Sequence, residues 1–119
     1  MSMFRKSTAH VFGWFMQRIS ALFLVIGMLV HFWVLHYFIE KPITFEKVVA
    51  RLTSPGWILF DSLLLLAVIY HGLNGIWNIL VDYNPSGVLR KTYGWILFLI
   101  GLATFIWGMA TLIPFTAPV

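Results

Sequence analysis

Residues 57–81 read WILFDSLLLLAVIYHGLNGIWNILV, an apolar run of 25 residues with one charged side chain, Asp61. About 20 such residues in a helix cross the roughly 30 Å hydrocarbon core of a bilayer. Two similar runs flank it, at 14–39 (most apolar from Ile19 to Phe38) and at 93–113. In lipid every backbone N–H and C=O must be satisfied within the protein, which leaves helices or closed barrels, and three spans are too few to close a barrel. The sequence predicts an all-α integral membrane protein, a single three-helix unit over 1–119 that forms half of a larger multi-chain bundle.

Composition agrees. The chain is 61% hydrophobic and 10% charged, against about 25% charged in soluble domains. A chain this short leaves much of its surface wet if it folds in water, so lipid must be the solvent. Cysteine is absent, which excludes disulfides, thiolate catalysis and cysteine-ligated clusters within the chain. The formal charge of +4 comes from residues at span ends and makes no nucleic-acid patch. Arg5 and Lys6 ahead of an apolar run resemble the start of a leader peptide, but the run is too long and lacks a small-residue cleavage site. A retained first helix is expected.

Trp14, Tyr37, Trp57, Tyr83, Tyr93 and Trp95 crowd the span ends, as an aromatic belt does at headgroup depth. Arg5, Lys6, Arg18, Arg90 and Lys91 fall on one side, and Lys41, Lys47 and Arg51 on the other. That excess places the N-terminus in the cytoplasm and the C-terminus outside, in a bacterial inner membrane. In a mitochondrion the cytoplasmic side becomes the matrix. The connector 40–56 is short and amphipathic, with Pro42 and a Ser54-Pro55-Gly56 turn, and Asn84-Pro85-Ser86-Gly87 ends the second helix. Gly94, Gly101 and Gly108 recur every seven residues in the third helix, with Thr104 and Thr111 on nearly the same face. Such a stripe lets a neighbouring helix approach closely.

Polar groups in hydrocarbon are costly and invite a functional reading. His71 lies about 14 residues into the second helix, roughly 21 Å from its outer end at 1.5 Å per residue. Its imidazole needs a partner: a metal or haem iron, or a hydroxyl or carbonyl on a neighbouring helix. Gly72 and Gly75 would admit a flat macrocycle or another backbone, and Asn74 and Asn78 make the same face polar. His31, in the outer part of the first helix, is placed on the order of 10 Å further out. The two imidazoles therefore cannot clasp one iron, and a bis-histidine haem at either level needs a second chain. His36 lies near the interface, and His10 precedes the span in a solvated position.

In Gln17-Arg18-Ile19-Ser20-Ala21, Arg18 either snorkels to phosphates or pairs with propionates or a quinone head. Asp82 and Tyr83 end the second helix on the same side, where a phenol can donate to a carbonyl oxygen and the adjacent carboxylate can hold it or Arg18 in place; the alternative is plain belt and helix end. Asp61, one turn inside the outer end, faces the interface or a partner and carries no assigned role. No nucleophile–base pair, phosphate loop or HExxH motif is present. Electron transfer between cofactors or passive anchoring remains. Ion transport is disfavoured by unbroken spans and the lack of a midplane carboxylate.

The stretch His71-Gly-Leu-Asn-Gly-Ile-Trp-Asn-Ile-Leu-Val-Asp82-Tyr83, with Arg18-x-Ser20 opening helix one, resembles the small hydrophobic D-type membrane-anchor, or cytochrome b, subunit of succinate dehydrogenase (succinate:quinone oxidoreductase). The resemblance spans most of the chain, from Trp14 to Thr111. It implies a non-catalytic anchor that pairs with a second cytochrome b anchor beneath a flavoprotein and an iron–sulfur subunit. His71 would be one axial ligand of haem b, with Arg18 and Ser20 beside the cofactor and Tyr83 and Asp82 at the quinone. His31 matches the helix-one ligand of members with a second, outer haem. Other readings are the anchor of a quinol:fumarate reductase, running the reaction in reverse, and a cofactor-free scaffold subunit.

Overall fold

The structure is a computed structural model that describes residues 2–38 and 41–113, without the side chains of 2–9 and 38. Helix α1 (Ser2–Trp33) continues into a π-helical turn (Val34–Phe38). A short α2 (Phe45–Leu52) leads into α3 (Pro55–Asp82), and α4 (Gly87–Leu112) follows. Among the described residues there is no strand, and three segments are long and apolar enough to cross a membrane: His10–Tyr37, Pro55–Asp82 and Gly87–Leu112. The all-α membrane architecture expected from the sequence is the one observed. Arg5 and Lys6, used for orientation, and residue 39, the expected end of the first span, fall outside the described side chains or residues.

Local chemistry sets each boundary. Pro55 opens α3 at a position where its missing N–H is not needed. Asn84 then turns the chain with φ 49°, a left-handed conformation that asparagine tolerates, and Pro85 follows. Ser86 caps α4, its Oγ accepting from the Leu89 N–H at 3.4 Å. Helix α4 thus begins at Gly87, ahead of the apolar run at Tyr93. Hydropathy marks where lipid begins, whereas the cap marks where the helix does. The amphipathic connector becomes α2, capped by Thr44, whose Oγ1 accepts from the Lys47 N–H at 3.4 Å. Hydrogen bonds from its own backbone N–H and from Thr44 hold the Glu46 carboxyl below its ordinary range.

Helix α3 is the middle of the assembly, packed on α1 along one side and on α4 along the other. The glycine stripe faces α3, as its spacing suggested. A Cβ added at Gly101 would lie 2.6 Å from Leu73 Cδ1, and one at Gly108 would lie 2.5 Å from Leu65 Cδ2. At Gly94 the neighbour is the Trp77 ring, at 3.5 Å. Thr104 and Thr111 do not share that face. Three residues beyond a glycine is about 60° short of a full turn, and both hydroxyls are exposed and bond back to the carbonyls of Ile100 and Gly108. The α1–α3 contact has its own glycine, Gly27, where a Cβ would meet Leu64 Cδ1 at 2.8 Å.

Among the described apolar side chains only Leu52 and Leu64 fall below 9% exposure. Three helices in a row shield little of one another, and most apolar faces stay open to lipid or other chains. Overpacking a tight contact costs about 1–3 kcal/mol. Gly101→Ile is therefore expected to lower the unfolding free energy in mixed micelles by about that amount, while Gly56→Ala, whose added Cβ meets nothing within 4 Å, changes it little.

Candidate functional site in the seam between α1 and α3

Antiparallel packing of α1 and α3 brings their polar residues together in three tiers. At the inner tier Ser20, 8% exposed, places its Oγ 3.1 Å from His71 Nδ1 and donates to the Gln17 carbonyl at 3.0 Å. Gln17 also joins the helices: its Oε1 accepts from Asn74 Nδ2 at 2.7 Å, and its Nε2 donates to the His71 carbonyl at 3.2 Å. The middle tier is the apolar contact of Gly27 with Leu64. At the outer tier His31 Nδ1 lies 3.3 Å from Asp61 Oδ1, and the same oxygen accepts from Arg51 Nη2 at 3.0 Å.

These contacts suit one tautomer of each imidazole. A hydroxyl has one proton to give, and Ser20 gives it to the Gln17 carbonyl. It then accepts from His71 Nδ1–H, the arrangement that leaves the Nε2 lone pair free. A carboxylate oxygen is likewise an acceptor, and Asp61 Oδ1 is placed to accept from His31 Nδ1–H. Metal-bound histidines are held in this way, the second ring nitrogen donating to a fixed acceptor. The imidazoles therefore fit haem iron. His36 Nδ1 lies 2.9 Å from the Phe32 carbonyl, within its own helix, and the residue is exposed.

The register refines the depths. His71 pairs with the Ser20 level and His31 with Asp61, ten residues away along α3, or about 15 Å at 1.5 Å per residue. Counting inward from span ends gives on the order of 10 Å; the cross-helix pairings set the register from which the larger spacing follows. The two imidazoles stand too far apart in depth to share one iron. Among the described residues no group of three or more His, Cys, Asp or Glu could hold a metal ion.

Other sequence candidates are dispersed. Arg18 is exposed, its guanidinium 3.9 Å above the Trp14 ring. Asp82 is exposed and Tyr83 is 82% exposed at the end of α3. Neither is joined to Arg18 or to the other by a hydrogen bond among the described residues. Gly75 faces Gln17, with a Cβ–Nε2 distance of 3.6 Å, whereas Gly72 faces open space, so only Gly72 can admit an outside group beside His71. Asn78 is exposed, unlike Asn74. The expectation that Asp61 faces the interface or a partner is corrected: it is buried against Arg51 and His31 of its own chain. Gln17 and Arg51 were missed: the pairing of α1 with α3 would have exposed Gln17, and the return of α2 onto α3 would have exposed Arg51. Near the inner end of α3 and α4 a groove of about 550 Å³ is lined by Trp77, Arg90, Lys91, Gly94, Trp95 and Phe98.

Three spans with histidines on a polar seam define an integral membrane helix-bundle subunit. Residues 2–111 match the profile of the succinate dehydrogenase/fumarate reductase transmembrane subunit, and the chain belongs to that family. It is similar to the succinate dehydrogenase hydrophobic membrane anchor subunit of Archaeoglobus fulgidus, 31% identical over 87% of this chain and 89% of the relative. The protein of the same name from Thermoplasma acidophilum is 32% identical over 79% of this chain and 77% of the relative. That of Coxiella burnetii is 24% identical over 88% and 90%. All three relatives are named as anchors, which agrees with a non-catalytic subunit.

Gln17→Leu strips two cross-helix hydrogen bonds and leaves the Asn74 amide without its partner. Leaving a buried polar group unsatisfied costs about 1–3 kcal/mol, and a loss of that size is expected in micelle unfolding. Asn78→Leu, on the exposed side of α3, is expected to be near neutral.

Proposed function

We propose that this chain is the small membrane-anchor subunit of a succinate:quinone oxidoreductase. With a second anchor chain it holds haem b and shapes the quinone site beneath the iron–sulfur and flavoprotein subunits. The observation that carries the reading is the inner tier, where Ser20 fixes His71 with its Nε2 lone pair free. Family membership and the names of the relatives supply the rest of the support. Those names favour succinate oxidation over the fumarate reduction that the family also covers. The N-terminus lies on the cytoplasmic side of an inner membrane and the C-terminus outside.

Haem, when bound, supplies a one-electron carrier within the bilayer. His71 would hold the haem through its Nε2 together with a residue of the partner anchor, because His31 stands about 15 Å away in depth. Ser20 acts through His71 by holding its tautomer. The exposed guanidinium of Arg18 is available to propionates or a quinone head. Tyr83 is free to donate to a quinone carbonyl where α3 ends, with Asp82 adjacent. His31 would hold a second haem at the outer tier.

In the assembled complex, His71→Leu is expected to abolish one b-type haem signal in the reduced spectrum; an unchanged spectrum refutes the ligand role, and a colourless wild-type complex leaves the scaffold reading. Tyr83→Phe removes one hydrogen bond worth about 1 kcal/mol. Its expected effect is a roughly fivefold loss of quinone reductase activity at unchanged haem content, and full activity would refute the phenol's role.

A further inference from the structure

The two polar tiers hold their imidazoles with different chemistry. His71 donates to a neutral hydroxyl, whereas His31 donates to the carboxylate of Asp61, and Asp61 is shared with Arg51. The Asp61 and Arg51 side chains are each 9% exposed. Arg51 reaches the carboxylate from α2, its guanidinium 4.6 Å above the Trp57 ring, and its Nε is buried with no hydrogen-bond partner. Both donors meet a single oxygen, Oδ1, which has lone pairs for two bonds but one charge to divide between them.

We propose that Asp61 and Arg51 are an opposed pair of positioning residues that set how strongly His31 donates to the metal held at its Nε2. The inference rests on the reading of His31 as a haem ligand. A carboxylate hydrogen-bonded to a ligating histidine makes the imidazole a stronger donor. A strong donor favours ferric over ferrous iron and lowers the reduction potential. Arg51 works against this, drawing the charge of Oδ1 toward its guanidinium and leaving His31 the weaker share. The buried setting magnifies both effects, since charges interact more strongly there than in water. His71 has no charged group among its hydrogen-bond partners here and serves as the internal reference.

The test is a redox titration of the intact complex, followed by optical and low-spin ferric EPR spectra, with the outer haem identified as the one lost in His31→Leu. Asp61→Asn keeps an acceptor but removes the charge, and the outer potential is expected to rise. Arg51→Gln leaves the carboxylate charge wholly to His31, and the same potential is expected to fall. The inner potential holds in both, and Asp61→Glu returns the outer one toward wild type. If Asp61→Asn does not assemble, the fall in Arg51→Gln decides alone. Outer potentials that stay fixed or move in the same direction overturn this proposal while sparing the ligand assignment. One haem per complex, undisturbed in the His31 variant, overturns both.

Discussion

The hydrogen bond between Ser20 and His71 ties the middle span to the first, and the rest of the seam depends on the register it sets. A polar side chain left unpaired in lipid is costly, so α1 and α3 are stable together only where every such group finds its complement. Gln17 with Asn74, Ser20 with His71, and His31 with Asp61 all meet in the same antiparallel alignment, with Gly27 against Leu64 between them. Shifting α1 by one residue would rotate its polar groups by about 100° and unpair both ends at once. The same contacts that specify the alignment also hold the two imidazole rings in place.

On its other side α3 meets α4 mainly through close apolar packing. Glycines at 94, 101 and 108 let the helices touch, and at the inner end the Arg90 guanidinium lies 5.7 Å from the centre of the Trp77 ring. Helix α4 therefore braces α3 and leaves the polar seam to α1. The connector contributes as well: α2 is short, but it brings Arg51 back onto Asp61 and closes the outer end. The outward faces of all three spans stay largely open, with few apolar side chains buried among the described residues.

The fold was legible in the sequence because apolar length and helix-breaking turns are local properties. The glycine stripe was legible for the same reason, as a period along one helix. Depth was less so: counting from span ends underestimated the separation of His31 and His71, since helices run past the hydrocarbon and ends do not share a level. Asp61 was misread because its meaning depends on Arg51, ten residues earlier and on another helix. Gln17 was quoted in a motif but drew no role of its own, for its partners Asn74 and His71 lie more than fifty residues away. Residues whose role is to meet another element cannot be found without the pairing of elements. Arg18, Asp82 and Tyr83, by contrast, are exposed, and the pairing of helices within this chain does not bring them together.

The internally satisfied seam bears on how such a subunit is made. Within this one polypeptide His71, Asn74 and Asp61 already have hydrogen-bonding companions, and its outward faces are mostly hydrocarbon-like. A newly inserted copy therefore presents few naked dipoles to lipid, which is the feature by which unassembled membrane chains betray themselves to degradation. The cost of holding these polar groups in hydrocarbon is thus met largely inside the polypeptide, before any neighbour arrives.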